Sequence, residues 1–369
     1  MTGKKILTLL PVLAFAALLL AGLAVSVISL KGVTDEEWAE LRDPQKILSG
    51  EATHRFTKLL NAHFVLGTAF NRVERGMQWN LTGDWGPSVR GGCDGWLFLT
   101  DELELYPDRL KSAALRASIA TALNARLKER GIRLLMVIVP DKTRIEGAHL
   151  CGLRRPALFN TRIADWQAQL AGVEVLNLDP VLQALPGERY YRTDTHWNEA
   201  GANAAAGAVA ARLAKLGWVQ AAGGEVALDA GRTPRSGDLI HLAGLDALPG
   251  FLRPAAEQAQ VTKVAPVAVA SDDLFGDAGL PTTALVGTSY SRNSNFVPFL
   301  EHRLDAPVAN LAKDGGDFAG AATSYFAGKT FRSDPPRVVI WEVPERVIEA
   351  PVKEIERSWL QKLAAGRLQ

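Results

Sequence analysis

The sequence is short of several things, and each shortage narrows what the chain can be. Only two cysteines, Cys93 and Cys151, occur in 369 residues, too few for a disulfide-built scaffold or a four-thiolate metal site. Neither charge sign is in excess, since 41 basic residues against 40 acidic leave a formal net charge of +1. A nucleic-acid backbone demands a surplus of cations, so nucleic acid is not an expected partner. No internal repeat and no low-complexity tract is found, which sets aside a repeat architecture. What remains, 47% hydrophobic and 22% charged, is ordinary globular composition with room for one large domain or two modest ones.

One long apolar run is present. Ile6 to Leu30 carries no charge, with Lys4 and Lys5 before it and Lys31 after it. About 20 apolar residues suffice for a helix to cross a bilayer, and the lysine pair favours a cytoplasmic N-terminus. The competing reading is a secretory signal cut at Gly22-Leu23-Ala24; the run continues beyond that site, which favours an uncleaved anchor. Both readings export the remainder. In an oxidising compartment Cys93 and Cys151 can pair, which is the favoured reading; two reduced, buried thiols are also compatible with the sequence. Neither cysteine lies in a metal-ligand spacing or an activated-thiol motif.

Residues 32–90 read as a juxtamembrane linker with a surface helix. From Gly91 strand and helix alternate: a helix over Ala113–Arg130, a β-branched run Leu134–Val139 ending at Pro140, a strand Val173–Leu178, an alanine-rich helix Asn198–Leu216, and strands Thr282–Val286 and Arg337–Glu342. Such alternation predicts an α/β fold with a mainly parallel sheet. The stretch 221–275, punctuated by Gly, Pro and Asp, reads as an irregular, lid-like insertion.

Two segments could carry chemistry. In Ala284-Leu285-Val286-Gly287-Thr288-Ser289-Tyr290-Ser291-Arg292-Asn293 an apolar strand runs into a turn that would expose Ser289 at the sheet's carboxyl end, where backbone N–H groups can face an oxyanion. A turn or N-cap serine is the plain alternative. In Tyr191-Arg192-Thr193-Asp194-Thr195-His196-Trp197-Asn198, Asp194 and His196 could supply the oriented imidazole that a serine hydroxyl needs. Against this stand a helix cap by Asp194 or Asn198 with a structural His196, and a metal site for which Asp-x-His lacks an evident third ligand. Among the other histidines only His241 is a plausible substitute base.

Taken together the motifs resemble the alginate O-acetyltransferase family of the AlgJ/AlgX type, whose catalytic domain is similar to SGNH hydrolases. The matching pieces run in order: Gly91-Gly92-Cys93-Asp94-Gly95-Trp96-Leu97-Phe98, Val139-Pro140-Asp141-Lys142, Asp194-Thr195-His196-Trp197, Ser236-Gly237-Asp238-Leu239, Gly287-Thr288-Ser289-Tyr290-Ser291, and Trp341-Glu342-Val343-Pro344-Glu345-Arg346. The resemblance implies an SGNH-hydrolase-like three-layer sandwich over 91–369, in addition to the N-terminal anchor helix. It implies Ser289 as the acetylated nucleophile, His196 as base and then acid, and Asp194 as its orienter. Ser289, Gly315 and Gly316 are the candidate oxyanion donors. Tyr290, Arg292, Asn293 and Trp197 are the candidates for holding substrate, with a surface ion pair and core packing as the plain alternatives for Arg292 and Trp197. Lys142, Glu342 and Arg346 fit scaffold roles.

The implied activity is acetylation of exopolysaccharide hydroxyls on the periplasmic face of the bacterial inner membrane, with a multispanning membrane acyltransferase delivering the acetyl group. No metal or other cofactor is called for. A carbohydrate acetylesterase and a non-catalytic polysaccharide-binding scaffold are the alternatives. The sequence runs only about twenty residues past Arg346, so long polymer is expected to be held by the catalytic domain or a partner.

Overall fold

A computed structural model describes residues 3–221, 223–229, 231–246, 248–267 and 280–368. The chain forms two compact units, Met1–Asp84 with Ala247–Arg253, and Trp85–Asp246 with Pro254–Gln369.

In the first unit α1 (Gly3–Leu30) is followed by α2 (Asp35–Leu41), α3 (Pro44–Leu48), α4 (Glu51–His63) and α5 (Gly67–Thr82). Within α1, Pro11–Leu30 is long and apolar enough to cross a membrane. Four helices thus stand where the sequence suggests a linker and one helix. The short ones escape a periodicity reading because local caps start them. Thr34 and Glu37 form a capping box ahead of α2, and Asp43 caps α3 with Pro44 in its first turn.

The second unit is built on a five-stranded sheet with strand order β4–β3–β9–β7–β8, every pair parallel. Its strands are β3 (Arg133–Val139), β4 (Glu174–Asn177), β7 (Thr283–Val286), β8 (Val308–Asn310) and β9 (Val338–Pro344). Two small antiparallel pairs lie outside it, β1 (Val89–Gly91) with β2 (Leu97–Leu99) and β5 (Arg232–Arg235) with β6 (Glu257–Gln260). Side chains alternate across a strand, and the sheet shows it: Leu134, Met136 and Ile138 join one core, Leu135, Val137 and Val139 the other.

The first core is closed by α6 (Arg109–Lys128) and the helix Glu354–Ala364, the second by the helices Glu199–Lys215 and Phe296–Leu304. Helices on both faces make the expected three-layer α/β sandwich, since a sheet apolar on both faces must be covered on both. The predicted strands and helices are present within a few residues. The three-residue β8 is an addition too short to carry a pattern. Because the sheet is parallel, the ends of β3, β7 and β9 open on one edge, where ligand sites of open α/β sheets form.

Candidate active site

Val286 ends β7, and the chain turns through Gly287 and Thr288 into a 3₁₀ turn over Ser289–Arg292. The turn is held from the neighbouring strand. Buried Glu342 of β9 accepts from the Thr288 N–H at 2.7 Å, from the Thr288 hydroxyl at 3.0 Å and from the Ser291 hydroxyl at 3.0 Å. Burial pushes the Glu342 carboxyl up. Gly287 has to be glycine, since a Cβ there would stand 2.5 Å from a Glu342 carboxylate oxygen. Ser289 is the half-buried member of an otherwise buried run. At the first position of the 3₁₀ turn, its N–H has no partner inside the helix.

The Ser289 hydroxyl lies 2.7 Å from His196 Nε2, and His196 Nδ1 lies 2.6 Å from Asp194 Oδ1. Asp194 folds back because the same Oδ1 accepts the His196 backbone N–H at 3.0 Å, a side-chain-to-backbone turn that Asp forms readily. Asn198, not Asp194, caps the helix that follows, accepting from the Gly201 N–H. The second Asp194 oxygen takes Arg235 at 2.7 Å and the Asp238 N–H at 3.3 Å. Burial pushes the Asp194 carboxyl up, but the bond to His196, its charge and Arg235 outweigh this and hold it well below the usual carboxylate range.

Further residues complete the setting. Asp238 stands 3.6 Å from His196 Nδ1 and accepts from the Thr195 N–H at 2.6 Å; burial and the Asp194 charge push its carboxyl up. Glu257 of β6 accepts from the Arg192 and Thr193 N–H groups at 2.7 and 2.9 Å. The described part of the irregular stretch, which reads from sequence as lid-like, thus supplies Arg235, Asp238 and Glu257 to the acid–base loop. The rest of that stretch, 268–275, lies outside the described residues. Buried Lys142 completes the support, donating to the carbonyls of Leu97, Arg192 and Asp194 at 2.6, 3.0 and 2.9 Å.

Trp197, Tyr290 and Gly316 are corrected as candidates. Trp197 and Tyr290 are each 0% exposed, so neither can stack on a sugar. Trp197 packs on Tyr290 and Phe296 at ring separations of 5.2 and 5.0 Å, and the Tyr290 hydroxyl donates to the Thr195 carbonyl. Gly316 cannot serve as an oxyanion donor here, because its N–H donates to the Lys313 carbonyl within a turn. Gly315, exposed and left-handed at φ 63°, belongs to that turn, which is tied to the Gly287 carbonyl through the Lys313 N–H at 3.1 Å. Arg292 forms a surface ion pair with Asp314 at 3.1 Å, and Asn293 donates back to the Ser289 carbonyl at 2.9 Å. His241 pairs with Asp246 on the surface.

Asp238 also supplies the third potential ligand that Asp-x-His lacks in sequence. The set Asp194, His196 and Asp238 does not fit a cation, because His196 Nδ1 and Asp194 Oδ1 already hydrogen-bond to each other at 2.6 Å and Arg235 occupies the other Asp194 oxygen. Cys93 and Cys151 are joined by a disulfide in the same unit. Sequence reasoning misses Arg235, Glu257 and the role of Asp238; the motif Ser236-Gly237-Asp238-Leu239 was the one signal available. Chemically, the chain Asp194–His196–Ser289 places an oriented imidazole where it can accept the hydroxyl proton.

The chain is similar to known proteins over most of its length. Residues 89–345 match the family described as an SGNH hydrolase-like domain, acetyltransferase AlgX. The probable alginate O-acetylase AlgJ of Pseudomonas putida is 32% identical over 336 residues, 87% of this chain and 86% of that protein. The Pseudomonas aeruginosa protein of the same name is 29% identical over 337 residues, with 87% and 86% covered. The solved O-acetyltransferase domain of Pseudomonas putida AlgJ superposes with a TM-score of 0.64 at 29% identity, over 76% of this chain and 100% of that one.

Proposed function

This chain belongs to the acetyltransferase AlgX family of SGNH hydrolase-like domains, and on that premise we propose that it acetylates hydroxyls of an exopolysaccharide, alginate or a related polymer, through an acetyl-Ser289 intermediate. The observation that carries the reading is the continuous hydrogen-bonded path from Asp194 through His196 to Ser289 at the carboxyl end of a parallel sheet. The names of the similar proteins, probable alginate O-acetylases, support this acceptor class.

In the first half-reaction His196 Nε2 takes the Ser289 proton as Oγ attacks the acetyl carbonyl of the donor ester. The bond to the donor oxygen breaks, His196 returns the proton to that leaving oxygen, and acetyl-Ser289 remains. In the second, a sugar hydroxyl gives its proton to His196 and attacks the acetyl carbonyl; the Ser289–acetyl bond breaks and the serine is reprotonated. Asp194 fixes the tautomer with the proton on Nδ1 and stabilises the imidazolium. The Ser289 N–H faces the developing oxyanion, with Gly315 a second candidate. Half-exposed Arg292 and Asn293 border the serine and suit a uronate acceptor, Arg292 by exchanging Asp314 for a substrate carboxylate.

In this proposal residues 1–31 anchor the protein in the inner membrane, 32–90 form the juxtamembrane part, and 91–369 act on the periplasmic face. The acetyl donor there is a multispanning acyltransferase. The test is mass spectrometry of the protein after incubation with an activated acetyl ester. Wild type should gain one acetyl group on Ser289, and Ser289→Ala should gain none while losing on the order of 10³-fold or more in turnover. Adding oligosaccharide then separates transfer from hydrolysis: acetylated sugar supports the transferase, release of acetate alone an acetylesterase. Unimpaired function of Ser289→Ala would overturn the catalytic reading in favour of a polymer-binding scaffold.

A further inference from the structure

Helix α5 is amphipathic in the opposite sense to a helix that serves only its own fold. Leu66 at its N-cap and Phe70, Val73, Met77 and Leu81 recur every three or four residues, so they form one stripe. The four within the helix are 60%, 58%, 56% and 76% exposed. Cover lies elsewhere on the helix. Gly76 is buried against the Leu248 side chain, 2.8 Å from where a Cβ would stand, and half-buried Arg75 donates to the Asp84 carbonyl at 3.1 Å. The Gly76 side of the helix is thus turned to neighbours and the apolar stripe outward.

The start of α5 is also fixed in place. Buried Ser29, in the last turn of α1, accepts the Val65 N–H at 3.0 Å through its hydroxyl, which donates to the Val25 carbonyl at 2.7 Å. Gly32 lies against the His63 ring, 3.3 Å from where its Cβ would be. The α4–α5 hinge is therefore bonded to the end of the apolar helix. Where α1 crosses a bilayer, that end lies where hydrocarbon gives way to headgroups.

We propose that α5 is a membrane-surface helix whose Leu66–Phe70–Val73–Met77–Leu81 stripe is buried at the headgroup–acyl boundary of the bilayer that α1 spans. The inference rests on the anchor reading of α1. The bilayer is the occupant the geometry favours, because it is necessarily adjacent to the hinge from which the stripe runs. A row of large apolar side chains on one helix face is what an interfacial helix presents to lipid, entering about 5–10 Å into the boundary.

The test uses the full chain in nanodiscs of phosphatidylethanolamine and phosphatidylglycerol. Both native cysteines are paired, so one introduced thiol takes one nitroxide label. Labels go at Phe70→Cys, Val73→Cys, Met77→Cys and Leu81→Cys, at Asn71→Cys and Thr82→Cys off the stripe, and at Leu19→Cys within α1. Accessibility to oxygen, which concentrates in lipid, is compared with accessibility to an aqueous nickel chelate. We expect the ratio at the four stripe positions to exceed that at Asn71 and Thr82 several-fold, alternating with the helical period, and Leu19 to read as lipid. A lipid reading at Leu19 with a water reading on the stripe overturns the proposal and leaves the anchor standing. A water reading at Leu19 removes the anchor and the proposal with it. A stripe shielded from both reagents marks a contact with a second copy and overturns the lipid assignment.

Discussion

At the scale of single residues, the site turns on how Asp194 is kept charged. A buried carboxylate is unstable unless cations and donors surround it, and here they are His196, Arg235 and the N–H groups of His196 and Asp238. A carboxyl whose folded pKa lies below its unfolded value, about 4, adds stability above that pH and loses it as pH falls toward the folded pKa. Arg235→Met removes one cation, so the folded pKa rises toward the ordinary value. The acid limb of the transfer rate and the acid-unfolding midpoint should both move to higher pH; coincident profiles for variant and wild type would show that Arg235 does not set this charge. Lys142 is the complementary case. Burial pulls its ammonium down to about 8, yet its three donors meet three carbonyls. Lys142→Met should cost roughly 3 kcal/mol or more in denaturant unfolding, since each buried group left unpaired costs about 1–3 kcal/mol. Asp194, His196 and Ser289, which the structure brings together, were legible as candidates because the chemistry restricts residue type. The facing of their neighbours was not. His196 turns to the serine out of a bend, while Trp197, bridged to Tyr190, turns to the core. Tyr290 likewise leaves the line of Ser289 by one step of a 3₁₀ turn.

At the scale of elements, the sheet positions the serine through one cross-strand clamp. Glu342 on β9 holds the turn after β7 by the Thr288 N–H and two hydroxyls, and β7 and β9 are paired in register from Thr283 with Val338 to Val286 with Trp341. Gly287→Ala drives a methyl group into that carboxylate and into the Ser291 hydroxyl, 3.1 Å away. Overpacking of this kind costs about 1–3 kcal/mol, which the fold can absorb, while the shift of the serine cannot be absorbed by catalysis. The expected outcome is a modest fall in the denaturation midpoint with acetyl-enzyme formation lowered on the order of a hundredfold. An equal loss of both would mean that the clamp serves stability alone. The strands around this clamp were legible as short, largely apolar runs, as both-face burial requires, with Glu342 the one charge in β9. The pair β5–β6 was not, because its strands read Arg-Thr-Pro-Arg and Glu-Gln-Ala-Gln and carry no apolar alternation. Their pairing is set by tertiary contact with the acid–base loop, which brings Arg235 and Glu257 to it across sequence separations no local pattern reports.

At the scale of the whole molecule, the apolar helix and the disulfide make linked statements about compartment. In the proposed orientation Lys4 and Lys5 flank the cytoplasmic end of the run under the positive-inside rule, and Cys93 and Cys151 then lie where a disulfide persists. The bond closes 58 residues, and a loop of that length is worth about 2–4 kcal/mol. Export can therefore be read from the thiols without any assay of activity. Protein from intact cells, denatured and treated with a maleimide polymer, should show no mass shift until a reductant is added, and two adducts afterwards. A chain lacking residues 1–31 should stay in the cytoplasm, take up both adducts without reductant, and unfold at lower denaturant than the exported form. Matching the Cys93→Ser/Cys151→Ser variant in the full chain would assign that loss to the bond alone. Two free thiols in the full-length protein would reverse the orientation, moving Ser289 to the cytoplasmic side and away from any exported polymer.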